Sequence, residues 1–249
     1  MWRILSALLL ASTASQAADP VLRFSVAESW AMPLIRVEQQ QPVEGILHDL
    51  MLAVARDVGH RAQFHVLPRL RLQHAMENGD IDVRCYVAQS WLTIPENTYL
   101  WSLPLLQQRD LLVGQPGEMQ PLLPKQLAPQ AIGTVLGYTY STIEPLFASG
   151  QLQREDSRNQ LLVLNKLNAN RYRYAISNQL SLDWFNRELP AGQRLRPLAV
   201  VEEQSLGCVV RNAPDLPVQG ILRALLHLKA SGELQQIIER YTQPTVATP

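Results

Sequence analysis

Hydrophobic and polar positions in the first part of the chain follow a strand–helix–strand–helix–strand order. "LRFSVAES" (residues 22–29) alternates apolar and polar side chains, and "EGILHDLMLAVARDVGH" places its apolar residues on one helical stripe that ends before Gly59. "AQFHVL" is typical of a second strand, "RLQHAMENGD" of a short helix and turn, and residues 81–87 of a third strand. This order predicts parallel strands connected by helices.

A second series of the same kind follows farther along the chain. The strand patterns "QAIGTVLG", "YRYAIS" and "SLGCVVRN" are separated by helix patterns in "TYSTIEPLFASG", "LLVLNKLNAN" and "LSLDWFNREL", and a helical segment "ILRALLHLKASGELQQIIERY" comes last. Between the two series, "TIPENTYLWSLPLLQQRDLLVG" (residues 93–114) has a turn and extended patterns but no helix pattern. We therefore expect two α/β units with an extended connection.

The N-terminal residues have the three-part pattern of a secretory signal. Arg3 precedes an apolar run at residues 4–11, which is too short to span a bilayer, and small residues precede a cleavage position after Ala17. A buried N-terminal helix is the alternative. We expect residues 1–17 to be a signal peptide and the mature chain to be soluble and exported.

Charge and cysteine content narrow the function further. The 22 Lys and Arg residues balance the 22 Asp and Glu residues, so no net field favours nucleic acid or a membrane surface as a partner. Cys85 and Cys208 are a candidate disulfide in an oxidising compartment, with two buried free thiols as the alternative. The separation of their Cα atoms decides between these two states.

A search for catalytic and metal-binding motifs favours a binding protein over an enzyme. The five histidines form neither an HExxH motif nor a zinc-type His/Cys cluster, and the chain has no GxSxG, P-loop or GxGxxG motif. We therefore expect no metal, no cofactor and no catalytic activity. Open α/β sheets bind small molecules at the carboxyl ends of their strands, and two such units facing each other form a cleft.

Four segments together resemble the bacterial periplasmic solute-binding proteins of the polar amino-acid type, family 3. "EGILHDLMLAVARDVG" is similar to the family's Gly-Phe-Asp-x-Asp-Leu-x-x-Ala-Ile-Ala-x-x-Leu-Gly signature, and "LPRLRLQHAMENGDIDV" to its Pro-Trp-Asp-Arg segment. "TIPENTYLWSLPLL" looks like Thr-x-x-Pro-Glu-Arg followed by Phe-Ser-x-Pro-Tyr, and the end of the chain resembles the family's closing strand and helices.

This resemblance implies an α/β fold of the type II periplasmic binding proteins. Each of two lobes would hold a mixed five-stranded sheet flanked by helices, with two crossing strands as the hinge. Residues 18–107 and 206–249 would form the first lobe, and residues 108–205 the second. The expected protein is a periplasmic monomer that captures a small-molecule ligand by hinge closure and hands it to an inner-membrane ABC permease.

Two departures from the family pattern bear on the ligand. The resemblance implies that the Arg holding an amino acid's α-carboxylate is replaced here by Asn97, and the Asp holding its α-ammonium group by Asn178. An amide cannot replace a bidentate guanidinium or a carboxylate in such a clamp. A standard α-amino acid is therefore not the expected ligand.

Other candidate ligand-binding residues follow the predicted strands or match the family's ligand loops. Aromatic walls together with Arg69 and Arg84 favour a small polar or anionic solute with a planar or apolar part. For each residue, packing within its own lobe or exposure to solvent is the alternative. In addition to Asn97 and Asn178, the candidates are Trp30, Arg69, Arg84, Tyr86, Ser90, Trp91, Tyr138, Thr139 and Tyr140.

Two other functions remain open at this point. The same fold could report its ligand to a membrane signalling protein without transport. It could also be an enzyme, since periplasmic dehydratases of the cyclohexadienyl type resemble the same family. An enzyme would need a cleft carboxylate or histidine with a shifted pKa, and Glu28 and Asp110 are the first candidates.

Overall fold

The structure is a computed structural model that describes residues 19–92, 98–118 and 121–243. The expected signal peptide at residues 1–17 and the departure at Asn97 lie outside the described residues, so both stay predictions. Within the described ranges, no helix combines the length and apolar character needed to cross a bilayer.

The first lobe is built around three parallel strands in the order β4-β1-β5. Helix α1 places Leu47, Leu50 and Val54 in the lobe's core, as its apolar stripe predicts. The strands are β1 (Val21–Ala27), β4 (Arg61–Leu67), β5 (Val83–Val87) and β6 (Tyr99–Trp101); the helices are α1 (Ile46–Asp57), α2 (Arg69–Glu77), α6 (Val218–Ala230) and α7 (Glu233–Thr242).

The second lobe continues the sheet in the order β7-β10-β8-β9. β7 and β10 are antiparallel, whereas β10, β8 and β9 run parallel to one another. The strands are β7 (Leu106–Gly114), β8 (Gln130–Val135), β9 (Leu152–Ser157) and β10 (Tyr174–Asn178); the helices are α3 (Glu144–Ala148), α4 (Gln160–Asn168) and α5 (Gln179–Arg187).

A long strand, β11 (Arg196–Arg211), belongs to both lobes. Its residues 196–206 pair with β7 in the antiparallel sense, and its residues 207–210 pair with β5. Leu106 and Leu206 pack in the first lobe's core, while Leu111 and Leu112 pack in the cores of the second. The two lobes are therefore joined by the β7–β11 pair, and the two-lobed α/β fold expected from the sequence is confirmed. The lobe boundaries given above stay predictions.

Two features of the sheet edges were not predicted. Strands β2 (Arg36–Glu38) and β3 (Gln41–Glu44) form a hairpin whose turn residues Gln39 and Gln40 have φ of 48° and 62°. Such turns normally carry Asn or Gly, so these two Gln residues do not indicate a hairpin. β9 was missed because its sequence, "LQREDS", is mostly polar, which suits a strand at the sheet edge.

Cys85 and Cys208 form a disulfide in the structure. They lie opposite each other on the antiparallel strands β5 and β11, with their Cα atoms 3.9 Å apart, and both side chains are fully buried. The alternative of two free thiols, which the sequence left open, does not hold in this structure. The bond joins the central strand of the first lobe to the strand that continues into the second.

Asp82 connects three segments of the first lobe through charged hydrogen bonds. Its carboxylate accepts from the backbone N–H of Arg23 at 2.9 Å, from Arg23 Nη2 at 2.6 Å and from Arg211 Nη2 at 2.9 Å. Burial of Asp82 would raise its pKa, but the hydrogen bonds from Arg23 and Arg211 outweigh burial and hold the pKa below its usual value. The carboxylate therefore stabilises the fold in its ionised form.

Replacing Asp82 by Asn is expected to lower the free energy of unfolding by about 3 kcal/mol at pH 7, because two arginines lose their buried counter-charge. The pKa of Asp82 is lower in the folded state than in the unfolded state. This stabilisation is therefore fully present above the unfolded-state pKa of about 3.9 and is lost as the pH falls through the folded-state pKa. Urea unfolding of wild type and variant at pH 7 and at low pH measures both effects. The exposed neighbour Asp80 provides the control Asp80→Asn, which should change stability by less than about 0.5 kcal/mol. A difference between wild type and Asp82→Asn that is independent of pH would contradict this role.

Candidate functional site

A small cavity lies where the two lobes face each other. Its volume is about 10 Å³, which is room for one water molecule. Six of the candidate residues from the sequence line it together, with two polar residues of β7 completing the wall. The lining residues are Trp30, Arg69, Tyr86, Trp91, Gln108, Asp110, Tyr138 and Thr139.

Arg69 bridges the lobes inside this site. Its guanidinium carbon lies 5.2 Å from the ring centre of Trp91 in the first lobe and 4.7 Å from that of Tyr138 in the second. Its Nε also donates a hydrogen bond to the carbonyl of Gly137 at 3.2 Å. Because cation–π contacts are attractive, Arg69 holds the two lobes in a closed arrangement.

Ser29, two residues after the end of β1, adds two further contacts between the lobes. Its hydroxyl donates to Tyr138 Oη at 3.2 Å, and its carbonyl accepts from the backbone N–H of Gln160 at 3.2 Å. The next residue, Trp30, packs edge-on against Tyr86 with ring centres 5.8 Å apart. The cleft is therefore closed by side chains and backbone of the protein itself.

Tyr86 has an unusual backbone conformation at the wall of the cavity. Its φ is 60°, in a region that aromatic residues seldom adopt. It is an extra residue in the sheet, because Val87 pairs with Gly207 and Cys85 with Cys208, which leaves Tyr86 unpaired between them. Its buried hydroxyl has no hydrogen-bond partner among the described residues, and burial raises its pKa well above the usual value. Such strain is typical of functional sites.

Asp110 and Gln108 supply a buried polar pair from the hinge strand β7. Gln108 Nε2 donates to Asp110 Oδ2 at 2.8 Å. Burial raises the pKa of Asp110 to about 6, although the hydrogen bond from Gln108 opposes the shift. Gln108 was not among the sequence candidates. The signal for it was its i, i+2 spacing from Asp110, which places both side chains on one face of the strand.

Arg84 is buried next to the cavity without a carboxylate partner. It is 4% exposed, and its Nη1 makes a 3.5 Å contact with the sulfur of Met76. Within the described ranges no acidic side chain forms an ion pair with it, and burial together with nearby Arg69 lowers its pKa to about 10. It lines a recess of about 350 Å³ with Arg69 and Thr139, where Glu77 is also present. A buried cation without a counter-charge is costly, so this recess favours an anion.

Three other candidates are not among the described residues that line the cavity. Ser90 is exposed and donates to Gln204 at 3.3 Å. Tyr140 is buried in the second lobe's core, where its hydroxyl accepts from the N–H of Val135 at 3.2 Å. Asn178 caps α5 by accepting from the N–H of Ser181 at 2.9 Å, a position that Asn fills well.

Comparison with known proteins identifies the fold. No protein-family model matches the chain, and no curated protein matches it. The arginine-binding protein of T. maritima (P235GK mutant) superimposes with a TM-score of 0.71 at 16% identity, covering 89% of this chain and 94% of that chain. The chain has the fold of the two-lobed periplasmic binding proteins.

Two other solved structures show the same likeness. The GluR0 ligand-binding core from Nostoc punctiforme, in complex with L-glutamate, has a TM-score of 0.70 at 15% identity and covers 90% of this chain and 100% of that chain. The VFT2 domain of Bordetella pertussis BvgS, a double mutant, has a TM-score of 0.65 at 16% identity and covers 89% and 93%. At these identities the comparisons show the fold and leave the ligand to be argued from the site.

The raised pKa of Asp110 predicts a pH-dependent effect on stability. A carboxyl group whose pKa is higher in the folded state contributes stability that is fully present below its unfolded pKa and is lost as the pH rises through the folded value, here between about 4 and about 6. Replacing Asp110 by Asn removes this loss. The variant should therefore be more stable than wild type by about 3 kcal/mol at pH 7.5 and equal to it near pH 3.5.

Thermal unfolding at both pH values measures the difference, with Asp80→Asn as the exposed control. The interpretation is wrong if Asp110→Asn is less stable than wild type at pH 7.5, because the ionised carboxylate would then be a stabilising group.

Proposed function

We propose that the protein is a divergent family 3 solute-binding protein that captures a small anionic solute between its lobes. The observation that carries this proposal is Arg84, a buried guanidinium without an ion-pair partner in the described part of the chain. It borders a recess shared with Arg69, so an anionic group bound there would compensate both charges. The fold and the binding-protein neighbours support a binding role.

The walls of the site favour a ligand that also has a planar part. Trp30, Tyr86, Trp91 and Tyr138 line the small cavity, and aromatic rings pack well against flat groups. The anionic group would face Arg84 and Arg69. The hydroxyl of Tyr86, which has no partner in the described part of the chain, would form a hydrogen bond with the solute. A free α-amino acid stays an unexpected ligand, because Asn178 carries no charge to bind its ammonium group.

Solute capture would require the lobes to separate and close again about the β7–β11 pair. In the closed arrangement the cavity holds about one water molecule, so an entering solute must displace Arg69 from the ring of Tyr138. Closure around the solute would then replace these internal contacts with contacts to the ligand. The first and second lobes contribute residues to the same wall, which is what a clamp of this kind needs.

We further propose that the protein is exported to the periplasm, acts as a monomer and delivers its solute to an inner-membrane ABC permease. The apolar run and cleavage pattern of residues 1–17 support export. Genes for a permease and an ATPase next to this one would support transport.

A ligand-sensing module is the alternative, and a specific observation favours it. Arg69 and Ser29 hold the lobes together through Tyr138, so contacts within the protein itself stabilise the closed state. A domain that signals by changing shape can use such a closed state as its resting form. The likeness to the BvgS domain supports this alternative, and a neighbouring gene for a sensor kinase would favour it.

An enzyme is the less favoured alternative. Asp110 supports it, because a cleft carboxyl group with a pKa of about 6 is suited to proton transfer near neutral pH. The exposed Glu28 lines a separate groove of about 530 Å³ between the β2–β3 hairpin and α5. Incubating the purified protein with the solute that it retains, followed by NMR of the solute, separates the two functions. A binding protein returns the solute unchanged, whereas turnover that Asp110→Asn abolishes would establish catalysis.

Native mass spectrometry of protein purified without denaturation is expected to show a retained anionic solute. Arg84→Met should weaken its binding at least tenfold, since a charge-assisted hydrogen bond contributes about 1.5–3 kcal/mol. The same variant should be more stable than wild type, because it replaces a buried unpaired cation by an apolar side chain. Exposed Arg71 on α2 provides the control Arg71→Met, which should change neither quantity.

Isothermal titration calorimetry with the identified solute measures the affinities, and thermal unfolding measures the stabilities. Unchanged affinity in Arg84→Met would remove the basis of the anionic-solute proposal. Tight binding of a free L-amino acid in a calorimetric screen would overturn the conclusion drawn from Asn178.

A further inference from the structure

A larger groove lies beside the small cavity, on the side of the β2–β3 hairpin. Its volume is about 530 Å³, within the range of about 300–1,000 Å³ that is typical of small-molecule sites. Both lobes line it. The apolar side chains of its walls are Trp30, Ala31, Met32, Ile35, Val37 and Val66 from the first lobe and Leu161, Leu164, Trp184 and Phe185 from the second.

The aromatic residues of this groove come from separate segments. Trp30 follows β1, whereas Trp184 and Phe185 lie on α5, and none of the three is fully exposed. Arg187 lies 4.8 Å from the ring centre of Trp184 and so supports that ring from within its own helix. Walls of this composition favour a flat apolar molecule, because aromatic rings bury a large area with few rotatable bonds.

Ser181 supplies a polar group that lacks a partner. It is 2% exposed and lines the groove, and its hydroxyl has no hydrogen-bond partner among the described residues. Its backbone N–H is already bonded to Asn178, so the hydroxyl is the group left unsatisfied. Because nearly all buried polar groups in proteins are paired, an acceptor that approaches this hydroxyl would gain a hydrogen bond that no described residue supplies.

The charged side chains at the rim of the groove differ in whether they form ion pairs. Arg36 is bonded to both Glu38 and Glu44, so this cluster carries one negative charge in excess. Arg158 and Glu28 are exposed and form no ion pair within the described residues. The charges of Arg158 and Glu28 cancel, so the rim has no excess of positive charge that would select an anion. The apolar walls and the hydroxyl of Ser181 therefore decide which molecule fits.

We propose that this groove is a second binding site, for an aromatic molecule of one or two rings that carries a hydrogen-bond acceptor. The ring lies between the walls formed by Trp30 and Met32 on one lobe and Trp184 and Phe185 on the other. The acceptor receives the hydrogen bond that the hydroxyl of Ser181 donates. Since the walls belong to different lobes, a molecule bound here stabilises their closed arrangement independently of any solute in the small cavity.

Titration with three fluorinated probes, followed by fluorine NMR, tests the site. 4-Fluorobenzamide and 4-fluorobenzoate both carry an acceptor and are expected to bind, and fluorobenzene, which lacks one, is expected to bind at least threefold more weakly. Comparison of the amide with the carboxylate shows whether the anionic charge contributes through Arg158. Ser181→Ala should weaken binding of 4-fluorobenzamide by about threefold to tenfold.

Helix α4 offers a matched pair of variants. Leu161 lines the groove and is 48% exposed, whereas Leu162 is 41% exposed and lies outside it. Leu161→Trp narrows the groove and should reduce affinity for 4-fluorobenzamide at least tenfold, while Leu162→Trp should leave it unchanged. Trp91→Ala changes the walls of the small cavity and of the recess beside Arg84 but not those of the groove, and should also leave this affinity unchanged.

Three results would overturn the second site. The first is no binding of either acceptor-bearing probe at concentrations up to their solubility. The second is equal loss of affinity in Leu161→Trp and Leu162→Trp. The third is binding that Trp91→Ala removes and Leu161→Trp retains, which would assign the probes to the small cavity.

Discussion

The antiparallel pairing of β7 with β11 is the constraint on which the rest of the structure depends. Because β11 pairs with β7 over residues 196–206 and with β5 immediately afterwards, the two lobes share one hydrogen-bonded sheet. The disulfide between Cys85 and Cys208 lies just beyond the point where β11 changes partner. The first lobe therefore has a rigid end at the hinge, and the bulge at Tyr86 is held between the disulfide and the Val87–Gly207 pair.

Residues of the site beside this hinge have unfavourable conformations and poorly compensated polar groups, unlike the rest of the fold. Tyr86 has a left-handed backbone conformation, and among the described residues its hydroxyl has no hydrogen-bond partner and the buried Arg84 has no counter-charge. Asp110 is a carboxyl group whose pKa is raised by burial. Each departure lowers stability. They lie around one cleft, whereas the buried carboxylate of Asp82 in the same lobe is fully compensated by two arginines. Such clustering of unfavourable features is characteristic of binding and catalytic sites.

Most of the fold could be predicted from the sequence, because hydrophobic periodicity and composition determine the secondary structure of neighbouring residues. The apolar stripe of α1, the alternation in β1 and the apolar run of β5 appear in the structure near the expected residues. The β2–β3 hairpin and β9 escaped prediction, since Gln residues occupy the turn of the former and polar residues the edge position of the latter. In both cases tertiary context outweighs local propensity.

The site was predicted less completely, for a physical reason. Trp30, Arg69, Trp91 and Tyr138 could be inferred because each follows a strand, and strand ends converge at one edge of the sheet. Tyr138 and Tyr140 could not be told apart, since a turn decides which of them faces the cleft and which enters the core. The larger groove was not predicted at all. Trp30 is 154 positions from Trp184, and no local pattern indicates that closure of the lobes brings them to one surface.

The position of Arg69 between Trp91 and Tyr138 has a consequence for measured affinities. This arginine acts as a tethered competitor, because it is attached to the protein and occupies the space between the lobes at a high effective concentration. For a solute of the small cavity that must displace Arg69, as proposed above, the apparent dissociation constant would equal the intrinsic constant divided by the fraction of molecules in which Arg69 has left Tyr138. Weak apparent binding would then be compatible with a well-formed site, and solutes with few contacts would not displace the competitor.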